Sequence, residues 1–454
     1  MSAVDPRVII RLGSHAEKEY LLKTGHLFDG LIVGANLIEA TPGATASLVI
    51  KLCGAKQVFP YYIDPMTYVF GCYIDPDSGR PRSDLDWIKS DQKVKGKPKT
   101  IRDFKRSYAN LVEQLGSPFS LAKERCSALS AADFTEDGIA HRACQAVVNY
   151  QLNRISDEIA KDPEYQQYAS SIPRPAAVFA PYFYIEPTDA EPWTALTLRL
   201  ATETSNLGLD LPVHAVICAD EAFLEDSSFL SRIRHDLPRT GVKGVWVWFS
   251  KFHEDRTTEH KLKSFRALVE DLSNKMVVYN MHGGYFSLAL SKHGLTGLSH
   301  GVGYGEQKDV VPVIGQSTPT VRYYLPALHR RLGVPQVERC FDALEVTTPE
   351  TFYEHICNCV VCKGVVTDNI RMFSAFGDMH LSTPMSKRLA QTPAAAKRCR
   401  FHFLINRAKE RDWIKGASSQ NVINRLTDSF KKWSIHPSVA DDCKHLQTWK
   451  RVLS

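Results

Sequence analysis

The stretch PVHAVICADEAFLEDSSFLSRIRHDLPRTGVKGVWVWFS, residues 212–250, contains two apolar runs separated by a longer mixed segment. The runs at 212–220 and 244–250 are nearly continuous in apolar and β-branched residues, which is typical of strands buried on both faces. The segment between them, 221–237, has a helical pattern. The stretch therefore predicts a strand, a helix and a second strand, the repeating unit of an α/β fold with a parallel sheet.

Six more runs of the same kind extend this pattern in both directions, at 27–35, 47–52, 59–71, 176–186, 275–284 and 294–306. Helical stretches at 257–274 and 285–294 separate the last of them. Eight runs alternating with helices predict a (β/α)8 TIM-type barrel rather than an open sheet. In such a barrel, residues at the carboxyl ends of the strands form the functional face.

The spacing of the runs divides the chain into four segments. Residues 1–71 would hold the first barrel strands, and 72–175 is too long for one crossover, so we expect a mostly helical insertion whose clearest helix is 143–162. Residues 176–315 would complete the barrel. Residues 316–454 would form a zinc-binding and basic C-terminal subdomain.

The composition is that of an ordinary soluble globular protein of 454 residues, with 44% hydrophobic and 23% charged side chains. No run is long enough to span a membrane, and the N-terminus lacks the features of a signal peptide. A cytoplasmic location without membrane contact is therefore expected. Eleven cysteines in such a chain favour free thiols and a metal site over a disulfide framework.

The basic residues are unevenly distributed along the chain. Residues 385–454 hold 15 Lys or Arg against five acidic residues, and 89–106 holds eight cations against two aspartates. Although charge runs are often only solvated faces, two separate basic runs make nucleic-acid phosphates a candidate partner. The cations proposed to contact them are Lys93, Lys95, Lys97, Lys397 and Arg398.

Three cysteines lie within six positions, as Cys357, Cys359 and Cys362 in a C-x-C-x-x-C pattern. Thiolates with this spacing can converge on one cation, and three sulfurs with one imidazole form the closed tetrahedral site of structural zinc. Two downstream histidines, His380 and His402, could supply the fourth ligand. We favour His402 because it begins a convincing amphipathic helix that would hold the imidazole rigidly.

A barrel followed by C-x-C-x-x-C and a later helix-borne histidine resembles the tRNA-guanine transglycosylase superfamily, including divergent DpdA-type members associated with 7-deazaguanine modification of DNA. The resemblance covers about residues 27 to 415, and its specific part is the zinc motif. It implies a structural Zn²⁺, and a nucleic-acid substrate, either DNA or tRNA. It also implies a 7-deazaguanine base as the second substrate, and other proteins of a modification pathway as possible partners.

The resemblance also implies catalytic carboxylates at strand ends. An Asp on the third strand recognises the base and transfers protons in the family; here Asp64 in DPMTYVF keeps the acid, with Tyr68 supplying the following aromatic ring, but the family's Ser-Gly-Gly is absent. The nucleophilic Asp expected at the eighth strand is missing from GLSHGVGYGEQKD. Glu306 could replace it, Asp220 could attack from another strand, or base exchange could be lost.

Strand-end residues near the eighth strand complete the candidate site. Gly283 and Gly284 would allow close backbone approach to a flat base. His282 and His300 could recognise the base or move protons, and Tyr304 could stack on it, although turns and core packing are the alternative roles.

The expected function is replacement of guanine in nucleic acid by a 7-deazaguanine base. The alternatives are a non-catalytic zinc-containing nucleic-acid-binding relative that has lost the nucleophile, and an unrelated barrel enzyme with an added zinc module.

Overall fold

The computed structural model describes residues 5–54, 59–71, 106–125, 127–164, 166–167, 173–310, 320–382 and 389–454. Its main feature is a nine-stranded parallel sheet. The strands are β1 Arg7–Arg11, β2 Gly30–Gly34, β3 Tyr61–Asp64, β4 Val178–Phe179, β5 Tyr184–Ile185, β6 Val213–Asp220, β7 Gly244–Ser250, β8 Val277–Asn280 and β9 Gly297–His300.

Eight of these strands form a nearly closed barrel in the order β3-β2-β1-β9-β8-β7-β6-β4, and β5 pairs with β6 beyond β4. The remaining gap lies between β3 and β4, where the Ala176 amide donates to the Tyr61 carbonyl at 2.8 Å. The predicted TIM-type barrel is therefore confirmed. Because all the strands are parallel, their carboxyl ends meet at one face.

One predicted strand is wrong and one strand was missed. Residues 47–52, SLVIKL, lie in the helix Pro42–Cys53, where Thr45, Leu48, Val49 and Leu52 are buried at helical spacing. A six-residue apolar run cannot be distinguished from a buried helix by periodicity alone. The first strand is instead Arg7–Arg11, which pairs with both β2 and β9.

Helices cover the outside of the barrel. They are α1 Lys18–Thr24, α2 Ala35–Ala40, α3 Pro42–Cys53, α4 Arg106–Leu115, α5 Phe119–Glu124, α6 Ile139–Ala160, α7 Ala190–Ser205, α8 Ser227–Asp236, α9 Glu259–Ser273 and α10 Tyr285–Ala289. The helices predicted at 143–162, 221–237, 257–274 and 285–294 are confirmed. Within the predicted insertion, α4 packs on α2, and α6 packs on α3 and α7.

Aromatic side chains pack together inside the barrel. Trp246 stacks on Tyr279 with ring centroids 4.3 Å apart, and Tyr62 meets Trp246 edge-on at 5.4 Å. The Trp246 indole donates to His214 Nδ1 at 3.1 Å. Burial lowers the pKa of His214 to about 4, so its imidazole is neutral and can accept this bond. The barrel interior is thus a packed core, and ligands must bind at its ends.

The described residues after the barrel, called the C-terminal subdomain below, form two small hairpins and six α-helices. The elements are β10 Tyr323–Leu325, β11 Arg330–Leu332, α11 Val334–Ala343, α12 Pro349–His355, α13 Val360–Val365, β12 Met379–Leu381, β13 Leu389–Gln391, α14 Pro393–Gly416, α15 Ser419–Ser434 and α16 Lys444–Leu453. Helix α16 returns to the barrel, where the Trp449 indole donates to the Glu254 carbonyl at 2.7 Å. Within the described ranges, no helix is both long and apolar enough to cross a membrane.

Candidate metal centre and candidate active site

Three cysteines and one histidine converge near the start of the subdomain. Cys357, Cys359, Cys362 and His402 are all buried, and their ligand atoms lie within 4.8 Å of one another. His402 Nδ1 is 3.3 Å from the sulfurs of Cys359 and Cys362 and 4.0 Å from that of Cys357. Tetrahedral zinc with ordinary bond lengths would place sulfur and nitrogen about 3.6 Å apart. The cluster could therefore hold a metal ion, and its donor set suits zinc.

The surroundings of His402 orient its ring toward the sulfurs. Its Nε2 lies 2.6 Å from the carbonyl oxygen of Tyr324, which can only accept, so Nε2 carries the proton and Nδ1 is free to bind a metal. Tyr323 stacks on the imidazole at 4.1 Å, and its hydroxyl lies 3.2 Å from Cys362 Sγ. His380 is exposed on β12, and the structure places His402 rather than His380 with the cysteines.

Asp64, the last residue of β3, is enclosed by protein donors. Its Oδ2 accepts from Arg11 Nη1 at 2.7 Å, and its Oδ1 accepts from the Tyr182 hydroxyl at 2.7 Å and the Met66 amide at 2.9 Å. The side chain of Asp64 is 1% exposed. Arg11 Nε and Nη2 are buried and have no hydrogen-bond partner among the described residues. Asp64 is therefore held in a buried ion pair at the carboxyl end of β3.

Asp220, the last residue of β6, is also paired. It accepts from Lys251 Nζ at 2.7 Å, the Tyr184 hydroxyl at 2.9 Å and the Ala222 amide at 3.0 Å. Burial opposes ionisation, but these hydrogen bonds lower the pKa of Asp220 below its usual value. It is an ionised carboxylate whose lone pairs are largely occupied.

Glu306, in the loop after β9, lies between two arginines. It accepts from Arg331 Nε at 2.7 Å and from Arg407 Nη2. Burial opposes ionisation, but the charges of Arg331 and Arg407 lower the pKa of Glu306. Its side chain is 19% exposed. Glu306 is therefore ionised and more accessible than Asp64.

A cavity of about 380 Å³ lies between the barrel loops and the C-terminal subdomain. It is lined by the loops after β7, β8 and β9, by β11 and by α16. The lining side chains combine acids, aromatic rings and four arginines, and include Glu254, Asp255, Glu306, Tyr285, Tyr304, Trp449, Arg256, Arg322, Arg330 and Arg331. Such a lining suits a ligand with both a flat ring and negative charge.

Glu254 is a buried acid that the sequence did not single out. Its carboxylate accepts from the Ser287 hydroxyl, from the Gly284 amide at 3.0 Å and from Asn280 Nδ2 at 3.4 Å. Burial raises the pKa of Glu254 to about 7. The only sequence signal was its position, four residues after the predicted strand at 244–250. Arg11 was missed because its strand was missed.

The residues predicted to bind the base divide into two groups. Gly284 and Tyr304 line the cavity, and Gly283 lies beside Ser287. His282 and His300 are buried next to the cavity. The Nδ1 atom of His282 lies 3.2 Å from the Gly305 carbonyl oxygen, and the Nδ1 atom of His300 lies 3.1 Å from the Gly301 carbonyl oxygen.

Both imidazoles are neutral acceptors. Because a carbonyl accepts from each Nδ1, each Nε2 is unprotonated, and neither Nε2 has a partner among the described residues. Burial lowers the pKa of His282, and that of His300 to about 3. Tyr68, also predicted to contact the base, is buried and meets Trp248 edge-on, with ring centroids 5.0 Å apart.

The proposed phosphate-binding cations are only partly described. Lys93, Lys95 and Lys97 lie outside the described residues. Lys397 lies 3.4 Å from Glu19, and Arg398 donates to the Ala375 carbonyl at 2.7 Å. The buried Arg407 and Arg411 form internal ion pairs. The formal charge of the basic tail therefore overstates the charge on its surface.

The comparisons with known proteins do not assign this chain to a group. The sequence matches no protein-family model, and no curated protein shows significant similarity to it.

Proposed function

We propose that this chain is a transglycosylase-type enzyme that exchanges guanine in DNA or tRNA for a 7-deazaguanine base. The observation that carries the proposal is the cavity at the carboxyl ends of the barrel strands, lined by the ionised Glu306 and by four arginines. Base exchange needs a carboxylate that attacks the anomeric carbon and cations that hold the flanking phosphates. The lining of this one cavity contains both kinds of group.

Of the two candidate nucleophiles, Glu306 and Asp220, we favour Glu306. Its side chain is 19% exposed, compared with 1% for Asp64 and 8% for Asp220, and only Glu306 lines the cavity. Arg331 and Arg407 would keep it ionised at neutral pH, as a carboxylate nucleophile requires.

The metal centre supports the same site from a distance. We propose that it holds a structural zinc through Cys357, Cys359, Cys362 and His402, since all four positions of a tetrahedral ion would be filled. Helix α14 carries both His402 and Arg407, and Arg407 contacts Glu306. A bound metal would therefore fix the helix that positions the nucleophile.

The test is incubation of the purified chain with labelled guanine and either tRNA or duplex DNA, followed by trapping of a covalent adduct. We expect label incorporation and an adduct in the wild type. Glu306→Gln should abolish the adduct, because an amide cannot attack the sugar. Asp220→Asn is the matched strand-end variant and should retain it. If Asp220→Asn loses the adduct and Glu306→Gln keeps it, our choice of nucleophile is wrong.

A second candidate function is nucleic-acid binding without catalysis. It is favoured by the ion pairs that occupy Asp64 and Asp220. Binding of tRNA or DNA with neither exchange nor adduct, across several 7-deazaguanine bases, would make it the better assignment.

A further inference from the structure

Two carboxylates approach the same glycine, Gly284, in the lining of the cavity. A methyl group added at Gly284 would lie 2.9 Å from Glu254 Oε2 and 3.7 Å from Glu306 Oε1. Both acids also line the cavity. Because Gly284 has no side chain, the Glu254 carboxylate can pack against its backbone and the Glu306 carboxylate can come close on the same side.

The surroundings of the two acids differ in charge. Glu306 contacts two guanidinium groups, whereas Glu254 contacts only neutral donors, namely Ser287, the Gly284 amide and Asn280. The pKa of Glu306 is accordingly lowered, while burial raises that of Glu254 to about 7. Two carboxyl groups whose environments separate their ionisation in this way are suited to distinct acid and base roles.

Other charged groups near Glu254 are already paired with one another. Arg407 on α14 interacts electrostatically with Glu254 but forms its ion pairs with Glu306 and Glu410. Asp255 pairs with Arg330 on β11 at 2.8 Å. Of the other basic lining residues, Arg256 lies beside Asp255, Arg331 pairs with Glu306 and His329 bonds Glu410; Arg322 and the phenols of Tyr285 and Tyr304 are the other ionisable groups of the lining. No lysine or arginine contacts the Glu254 carboxylate directly among the described residues.

We propose that Glu254 is a second catalytic residue, which protonates the departing purine and later accepts the proton of the incoming base. This inference rests on the proposed function. It assigns the acid–base role to the loop after β7, whereas the family resemblance implied proton transfer by Asp64.

The exchange balances with these two residues alone. A Glu306 oxygen bonds to the anomeric carbon as the bond from that carbon to N9 of guanine breaks. The electron pair goes to the purine, and Glu254 supplies the proton that makes it neutral. The incoming base then gives its N9 proton to the Glu254 carboxylate, N9 bonds to the anomeric carbon, and Glu306 leaves as a carboxylate.

The test separates proton donation from attack by changing the leaving group. Polynucleotide methylated at guanine N7 carries a positive purine, which departs as a neutral base without being protonated. We would measure release of guanine from unmethylated tRNA and DNA, and of 7-methylguanine from the methylated forms. The variants are Glu254→Gln, Glu306→Gln and, as the matched control, Glu259→Gln on the surface of α9. The glutamine oxygen can still accept from the Gly284 amide while its NH2 group donates to the Ser287 hydroxyl, so the loop should keep its shape.

We expect Glu254→Gln to slow guanine release by about a hundredfold while 7-methylguanine release stays close to the wild-type rate. Glu306→Gln should lose both releases, and Glu259→Gln neither. If wild type releases both purines but Glu254→Gln slows both equally, or slows neither, Glu254 is not the proton donor, although the proposed function stands. If wild type releases neither purine, the proposed function fails, and the role of Glu254 fails with it.

Discussion

Replacing Glu254 with glutamine should change how the stability of the chain depends on pH. In the folded chain burial raises the pKa of Glu254 to about 7, from an ordinary value of 4.5. Between these two values the folded state holds a proton that the unfolded state has released. The free energy of unfolding must therefore fall as the pH rises through this window. The contribution is complete below pH 4.5 and is lost above pH 7.

The size of the effect follows from the same two values. Each pKa unit corresponds to about 1.4 kcal/mol, so Glu254 should cost wild type about 3 kcal/mol of stability between pH 4.5 and pH 8. Glutamine does not titrate, and it keeps one acceptor oxygen for the Gly284 amide and can donate from its NH2 group to the Ser287 hydroxyl. We therefore expect the difference in unfolding free energy, Glu254→Gln minus wild type, to rise by about 3 kcal/mol from pH 4.5 to pH 8.

The measurement is denaturant unfolding of both chains at pH 4.5, 6 and 8. Buried histidines such as His214 and His300 also titrate with folding, and their lowered pKa values give the opposite slope. They are present in both chains, so they cancel in the difference between variant and wild type. A difference that stays constant from pH 4.5 to pH 8 would refute the assignment of Glu254 as a buried acid with a raised pKa.

Three further predictions concern the metal centre, the Asp64 ion pair and the basic runs. His402→Ala should abolish the binding of one zinc per chain in metal analysis, and the C-terminal subdomain should then unfold before the barrel. Replacing the exposed His380 with alanine should leave the metal bound. The reverse result would contradict the ligand set. Asp64→Ala should lower the free energy of unfolding, measured by chemical denaturation, by about 3–5 kcal/mol, because it leaves Arg11 buried without a counter-ion. A loss below about 1 kcal/mol would mean that the ion pair is not buried in solution. Polynucleotide affinity should fall steeply with salt in titrations, and charge reversal in the first basic run should weaken it without changing base preference, while binding that is independent of salt would exclude phosphate contacts. The residues to reverse are Lys93, Lys95 and Lys97.

The sequence alone determined the class of fold and the three cysteines of the metal centre. Long apolar runs such as 212–220 and 244–250 are buried on both faces, so their composition is dictated by the barrel itself. The cysteine spacing is equally local, because a turn of six residues brings the three sulfurs together. The prediction of a strand at 47–52 was wrong for a local reason too, since a short apolar segment suits a buried helix as well as a strand.

Only the tertiary structure decided which acids face the cavity. Asp64 looked the most available carboxylate in the sequence, yet Arg11, 53 positions earlier, closes over it. Glu254 and Glu306 lie in different loops and approach the same glycine, Gly284, only because β7, β8 and β9 end side by side in the barrel. Whether a carboxylate is paired, accessible or protonated depends on the charges and the burial that distant segments provide. That environment is set by folding, and no local pattern in the sequence encodes it.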